Sequence, residues 1–436
     1  METVNMRKVA LQLLNEIETE QSYSNIKINS ALTSYNLIGQ DKNFVLKLVY
    51  GVLENKMLLD YYIGKMSKTR LKKIDHRILN ILRLSIFQIV FLDKVPDSAA
   101  VNEGVKLTKK VNQRSTGFVN GILRNFIRER DKIQLPDRNK EKVKHYSIKY
   151  SYPEWLVERW LKAFDESFLE AFLEASNQSP ALTLRVNTLR IDRGRLLEIL
   201  KAEGVTAVES PLVDDAVLVE DISNQRIDQL NAYKDGLFFV QDEGSMLVAK
   251  RLSVEPGMLV VDACSAPGGK TTHIAQLMKN TGRIVAFDIH EHKLGKIIEN
   301  ATRLGIDIIE PKQHDATRTD EALIGMADRV LVDAPCTGFG IIRRKPEIKY
   351  NRQPEDLDTL TTLQYSILEA SASYVKLGGV LIYSTCSIDE AEDEAIVERF
   401  LDVHREFVLE TDGMEKLFPH VNGTDGFFIA KMKRVN

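Results

Sequence analysis

Three cysteines in 436 residues exclude a good deal. An odd count in a chain without a secretory start argues against a disulfide framework, and no two of Cys264, Cys336 and Cys386 have metal-site spacing. The eight histidines, His290, His292 and His314 among them, form no ligand cluster, so they are read as structural or exposed and no metal is expected. Long apolar runs are also lacking. The most apolar segment, Leu79 to Leu92, carries Arg83 and is too short to span a bilayer. Met1 to Lys8 are too polar for the apolar core of a signal peptide. There is no internal repeat and no low-complexity tract. A cytoplasmic monomer with no membrane partner is expected, built from roughly two to three domains.

Charge is unevenly spread. The net charge is −3, yet residues 1–150 hold 27 Lys+Arg against 15 Asp+Glu, or +12, which leaves −15 for the remainder. A basic module joined to an acidic one points to a polyanion partner for the first. Residues 1–130, from about residue 3 onward, read as helices. Val9, Leu13, Leu14 and Ile17 recur at helical spacing, as do Val45, Leu48, Val49, Val52 and Leu53, and again Ile78, Ile81, Leu82, Ile86 and Ile89. Pro96-Asp97-Ser98 reads as a stop and a cap before Ala99 to Val111, and Arg114 to Arg130 makes a further helix. Residues 131–150 read as a basic connector (Lys132, Arg138, Lys140, Lys142, Lys144), either plain linker or in touch with RNA phosphates.

Residues 151–235 suggest helices followed by a small α/β subdomain, with strand-like alternation from Leu182 to Thr188 and a helix from Arg193 to Glu203. In residues 236–436 strands alternate with amphipathic helices, the mark of a parallel sheet covered on both faces. Strands are expected at Met258–Ala263, Arg283–Phe287, Ile306–Pro311, Arg329–Val332 and Val380–Tyr383. Helices are expected at Thr271–Met278, Glu291–Leu304, Asp320–Met326, Pro354–Lys376 and Asp389–His404, with Phe407–Leu409 and Gly426–Met432 as a closing hairpin.

In such a sheet, ligands bind beyond the carboxyl ends of the strands. The first expected strand runs into Cys264-Ser265-Ala266-Pro267-Gly268-Gly269-Lys270-Thr271, a Gly-rich turn at a helix N-terminus that suits a nucleotide-like ligand. Asp288 follows the second strand, about 20 residues beyond the glycines, where a carboxylate meets ribose hydroxyls. Asp315 follows the third and could accept from an adenine amine. Asp333-Ala334-Pro335-Cys336 follows the fourth, and Ser384-Thr385-Cys386-Ser387 the fifth. One buried thiol is common as a small hydrophobe; three at equivalent places point to chemistry. Arg343, Arg344 and Lys345, beside this site, would hold RNA phosphates. The acidic run Asp389, Glu390, Glu392, Asp393 and Glu394 reads as favouring the next helix's N-terminus.

A P-loop nucleotide hydrolase is the rival reading, since Cys264 to Thr271 fits its pattern except that Cys264 replaces the first glycine, and Val330-Leu331-Val332-Asp333 looks like a Walker B strand. The missing glycine costs the backbone freedom that wraps phosphates, and a phosphohydrolase has no need of Cys336 and Cys386. A non-catalytic RNA-binding factor with a vestigial site is the other; it would have lost Cys386, Cys336 or Asp333, and none is lost.

Together, Asp262-Ala263-Cys264-Ser265-Ala266-Pro267-Gly268-Gly269-Lys270-Thr271, Asp333-Ala334-Pro335-Cys336 and Tyr383-Ser384-Thr385-Cys386-Ser387 resemble the S-adenosylmethionine-dependent RNA cytosine-C5 methyltransferases. The N-terminal module, above all Val95 to Val111 and Phe118 to Asn125, resembles the NusB-like RNA-binding domain, which narrows the likeness to the bacterial RsmB (Sun/Fmu) type. The resemblance implies a multidomain chain: an all-α NusB-like domain, a small α/β subdomain, then a Rossmann-like methyltransferase domain. It implies S-adenosylmethionine as cofactor and 16S ribosomal RNA as partner. It makes Cys386 the nucleophile, Cys336 the second cysteine assisting elimination and product release, and Asp333 the contact to the cytosine N3/N4 edge. It places Cys264, Ser265, Ala266, Pro267, Gly268, Gly269, Lys270, Asp288, Asp315 and Asp333 around the cofactor. Strand position alone leaves either Cys336 or Cys386 as the attacking thiol. The chemistry calls for one: cytosine C5 is a poor nucleophile until a thiolate adds at C6.

Overall fold

The computed structural model describes residues 5–20, 24–222 and 225–436, so the polar start at residues 1–4 lies outside it. The chain forms two compact units, Met1–Gln178 with Arg344–Asn351, and Ser179–Arg343 with Arg352–Asn436.

Among its described residues, every regular element of the first unit is a helix. Its centre is the helix His76–Phe91, which starts where Asp75 accepts the Arg77 N–H and is buried at every position from Ile78 to Ile89. That all-round burial explains a helix apolar on every face. Arg83 is tolerated there because Asp60 takes it in two bonds of 2.7 Å and Glu18 lies at 3.3 Å. Gly51 lets the helix Gly39–Glu54 press onto the Phe87 ring, where an added Cβ would overlap it. The next helix begins at Asp97, with Pro96 at its cap position, so Ser98 is not the cap expected. The expected connector 131–150 is partly ordered as the helix Lys142–Tyr150, with Tyr146 and Tyr150 buried on one face.

The segment Arg344–Asn351 belongs to this unit. Glu347 accepts the Ser24 N–H (2.9 Å) and hydroxyl (2.7 Å), and the Tyr350 hydroxyl donates to Leu53 O (2.7 Å). Lys349, fully buried, donates to Glu54 O and to Asn177 Oδ1, 2.9 Å each. Burial lowers the Lys349 pKa against the pull of Glu54.

The second unit holds two sheets. The first has β1 (Leu182–Val186), β2 (Thr206–Glu209), β3 (Ala216–Asp221) and β4 (Phe238–Val240), all antiparallel in the order β2-β3-β1-β4. The second has β5 (Leu259–Asp262), β6 (Arg283–Asp288), β7 (Ile309–Gln313), β8 (Ala327–Asp333), β9 (Val375–Thr385), β10 (Phe407–Leu417) and β11 (Phe427–Arg434). Its order is β10-β11-β9-β8-β5-β6-β7, with β5 to β9 parallel and β11 antiparallel between β9 and β10. The order reverses at β5, from which β6 and β7 run one way and β8 and β9 the other, which opens a crevice beyond its carboxyl end. Pro311 is tolerated in β7 because β7 is an edge strand. The expected helix at Asp320–Met326 is only a 3-10 turn, Glu321–Leu323. Among the described residues no helix is long and apolar enough to cross a membrane.

Candidate active site

The parallel register from β5 to β9 brings the strand ends singled out in the sequence to one edge of the sheet. At the end of β5, Asp262 is buried and its Oδ2 accepts the Thr271 hydroxyl (2.7 Å). The loop that follows is tied down at both ends. Ser265 donates through N and Oγ to Phe287 O, 2.8 Å each, and the Gly268 N–H returns to Ser265 O (2.7 Å). Gly268 has φ +98, a left-handed backbone conformation, and a Cβ there would stand 3.3 Å from Ile297 Cα. The Asn300 amide donates to Pro267 O (3.0 Å), and Gly269 opens the helix Gly269–Leu277. Cys264 is a poor nucleophile candidate: burial first, then Asp262, Asp333 and Asp288, push its thiol well above the ordinary range.

Arg185, missed in the sequence, comes from β1 to hold this loop. It is fully buried and donates to Gly269 O (2.7 Å) and Thr272 Oγ1 (3.0 Å). Burial, only partly offset by Asp215, lowers it to about 9. Nothing in a strand reading Leu-Thr-Leu-Arg-Val marks that reach; a charge at an inward position was the only signal.

At the end of β6, Asp288 Oδ1 accepts the His290 N–H (2.8 Å), and Ile289 beside it is 55% exposed. Asp315, beyond β7, accepts the Thr317 N–H and hydroxyl (3.1 and 2.7 Å), which hold its carboxyl below the usual range. The His314 ring lies 4.4 Å from that of Phe287, tilted by 40°.

Asp333, at the end of β8, is gripped from two sides: Lys270 Nζ donates to Oδ2 (2.8 Å) and Ser384 Oγ to Oδ1 (2.9 Å). The Lys270 side chain is only 12% exposed. Burial works against its charge, but Asp333, then Cys386 and Asp262, outweigh it and raise its pKa. Cys336 Sγ and Cys386 Sγ lie 3.2 Å apart. The hydrogen bond between them, then burial and nearby negative charge, keeps the Cys336 thiol well above its ordinary value.

Two expectations fail here. Arg343 does not face phosphates: it is buried, with Nε 2.6 Å from Asp425 Oδ1 and Nη2 3.6 Å from Asp242. Arg344 and Lys345 are half-buried in the first unit. The acidic run is likewise not simply a helix start, because the helix begins at Glu394 while Glu392 and Asp393 are buried. Glu392 accepts from Thr337 and Ser387, the residues after the two cysteines, and sequence reasoning missed it.

These residues fit S-adenosylmethionine. Gly268 and Gly269 lead the loop into the N-terminus of the helix Gly269–Leu277, the Asp288 carboxylate suits ribose hydroxyls, and exposed Ile289 offers an apolar face to a base. They do not suit a P-loop ligand, because the lysine that would meet phosphates is committed to Asp333. Among the described residues no group of three or more His, Cys, Asp or Glu could hold a metal.

Known proteins match the chain along its whole length. A family model described as 16S rRNA methyltransferase RsmB/F matches residues 249–433. A NusB family model matches 4–128, and a Methyltr_RsmF/B-like, ferredoxin-like domain matches 152–224. The chain is 38% identical to a probable ribosomal RNA small subunit methyltransferase B of Bacillus subtilis, with all of both chains covered. It is 32% identical to the ribosomal RNA small subunit methyltransferase B of Erwinia tasmaniensis, with 98% of each covered. The solved structure of PH0851 matches with a TM-score of 0.82 at 28% identity over 99% of each chain. That of a methyltransferase homolog protein from Pyrococcus horikoshii matches with a TM-score of 0.61 at 29% identity, over 67% of this chain and 99% of that one.

Proposed function

The chain belongs to the 16S rRNA methyltransferase RsmB/F family of S-adenosylmethionine-dependent enzymes, and from that premise we propose that it methylates C5 of a cytosine in 16S rRNA through a covalent Cys386–C6 intermediate. The observation that carries this reading is the pair of sulfurs 3.2 Å apart beside the Lys270–Asp333 ion pair. The loop Cys264–Lys270 with Asp288 and Asp315 holds the cofactor, which when bound supplies the methyl group. The Cys386 thiolate adds to C6, forming the S–C6 bond and moving the C5–C6 π electrons to C5, which takes the methyl. Asp333 meets the N3/N4 edge of the base, held for it by Lys270 and Ser384. The C5 proton then leaves to a base, the C5–C6 double bond re-forms, and the S–C6 pair returns to Cys386. Cys336, which keeps its proton, offers a hydrogen bond to that departing sulfur. The cytosine leaves its stack to reach the site.

RNA phosphates are held by the helical unit rather than by Arg343. Lys65, Lys68, Arg70, Lys72 and Lys73 are exposed within nine residues, and Asn125 Nδ2 on the helix Thr116–Glu129 contacts Met66 Sδ at 3.3 Å, which brings exposed Arg128 alongside. The test is methyl transfer from labelled cofactor to unmodified 16S rRNA, with the product base identified by mass. Label in 5-methylcytosine is expected; label in any other base, or none in RNA, contradicts the proposal.

A further inference from the structure

Glu392 lies just before the helix Glu394–Val403, fully buried. Its Oε1 accepts the Thr337 N–H (2.8 Å) and Gln364 Nε2 (2.9 Å), and its Oε2 accepts the hydroxyls of Thr337 and Ser387, the latter at 2.6 Å. Its backbone carbonyl takes the Tyr383 hydroxyl at 2.6 Å. None of these partners is a cation. An ionised carboxylate removed from water without a counter-charge persists only where donors fill its lone pairs. Three of the four bonds that do so come from the residues directly after Cys336 and Cys386. The fourth donor, Gln364, also reaches Pro335 O (3.0 Å), so it holds the Cys336 loop from the other side.

A helix cap would look different. The Glu392 carboxylate accepts from no N–H of the helix that follows, and its only backbone donor is Thr337 on the β8 loop. An apolar side chain of the same size would leave that N–H without its acceptor and the hydroxyls of Thr337 and Ser387, 3.2 Å apart, to each other. The carboxylate thus joins the two loops beyond the last β8–β9 pair, Asp333 with Ser384, where the Gly340 N–H to Cys386 O bond (2.9 Å) also ties them.

We propose that Glu392 is the positioning residue that fixes the distance between the two cysteine sulfurs, by clamping the loops that carry them. The inference rests on the roles given to Cys386 and Cys336 above. Glu392 touches neither sulfur. Its charge adds to the Cys386 hydrogen bond and burial that keep Cys336 protonated. Without the clamp, Cys386 still adds to C6, but Cys336 no longer sits where the departing sulfur needs it, and the protein–RNA bond lingers.

The test uses full-length protein with 16S rRNA and S-adenosylmethionine, reading the denaturant-stable protein–RNA band against methyl transferred. Glu392→Ala should raise adduct per methyl by about tenfold, the scale of one lost charge-assisted hydrogen bond. Cys336→Ala should accumulate adduct too. Glu392→Gln, which keeps the Oε1 acceptor, should bring the ratio back towards that of the parent. A parental ratio in folded Glu392→Ala, with adduct in Cys336→Ala, overturns the clamp. No adduct in Cys336→Ala overturns the assignment of the sulfurs, and the clamp with it. Should Glu392→Ala fail to fold, Thr337→Val and Ser387→Ala each remove one donor to Oε2; each should raise the ratio by a smaller factor, and a parental ratio in both contradicts the clamp.

Discussion

A sulfur 3.2 Å from another does not behave as an isolated cysteine. The shared hydrogen bond leaves Cys336 holding its proton, and Cys264, desolvated among carboxylates, holds its own as well. Asp262 shows the same environment from the acid side. Burial raises it to about 7 although the Thr271 bond opposes this, and its Oδ1 has no partner. The folded protein thus binds this proton more tightly than the unfolded chain does. Its contribution to stability is full below about pH 4, is lost as pH rises to about 7, and is level above. Asp262→Asn removes the titration. In denaturant titrations across that window, the variant should gain on the parent by up to roughly 4 kcal/mol between pH 4 and pH 7. A pH-independent difference would place the proton elsewhere.

The helices and strands of the site were legible because apolar runs end in chemistry-bearing residues at each strand terminus, from Asp262 to Cys386. The helix Glu291–Leu304 was read to the residue, closed by Gly305 in a left-handed turn. What a linear reading could not supply was where a charge goes. Arg343 sits in a cationic triplet but turns inward to Asp425, and Glu392 sits in an acidic run but turns inward to Thr337. A charge run looks the same whether solvent or a buried partner receives it. The basic turn after the helix Lys56–Met66 is solvent-facing, and the contrast is testable. Replacing Lys68, Arg70, Lys72 and Lys73 with Ala should weaken RNA binding across sequences and reduce the slope of log affinity against log salt by up to about 3. Arg343→Ala should leave that slope alone and lower the thermal midpoint instead. An unchanged slope in the fourfold variant would remove the turn from the RNA surface.

The two units are not two successive stretches of chain. Eight residues beginning eight positions after Cys336, Arg344–Asn351, fold into the helical unit, with Glu347 on Ser24 and Tyr350 on Leu53. No composition shift marks that excursion, since its contacts lie about 300 residues away in sequence, as Lys349 to Glu54 does. The chain thus runs from one cysteine loop through the basic unit and back before reaching the other. That chemistry has one decisive signature: a bond between Cys386 and the RNA. Cys336→Ala protein incubated with 16S rRNA and S-adenosylmethionine, then digested and sequenced by mass spectrometry, should yield a nucleotide-bearing peptide modified at Cys386, and the double variant with Cys386→Ala should yield none. A modified peptide centred on any other residue, or a methylated cytosine produced in full by the double variant, would contradict the account.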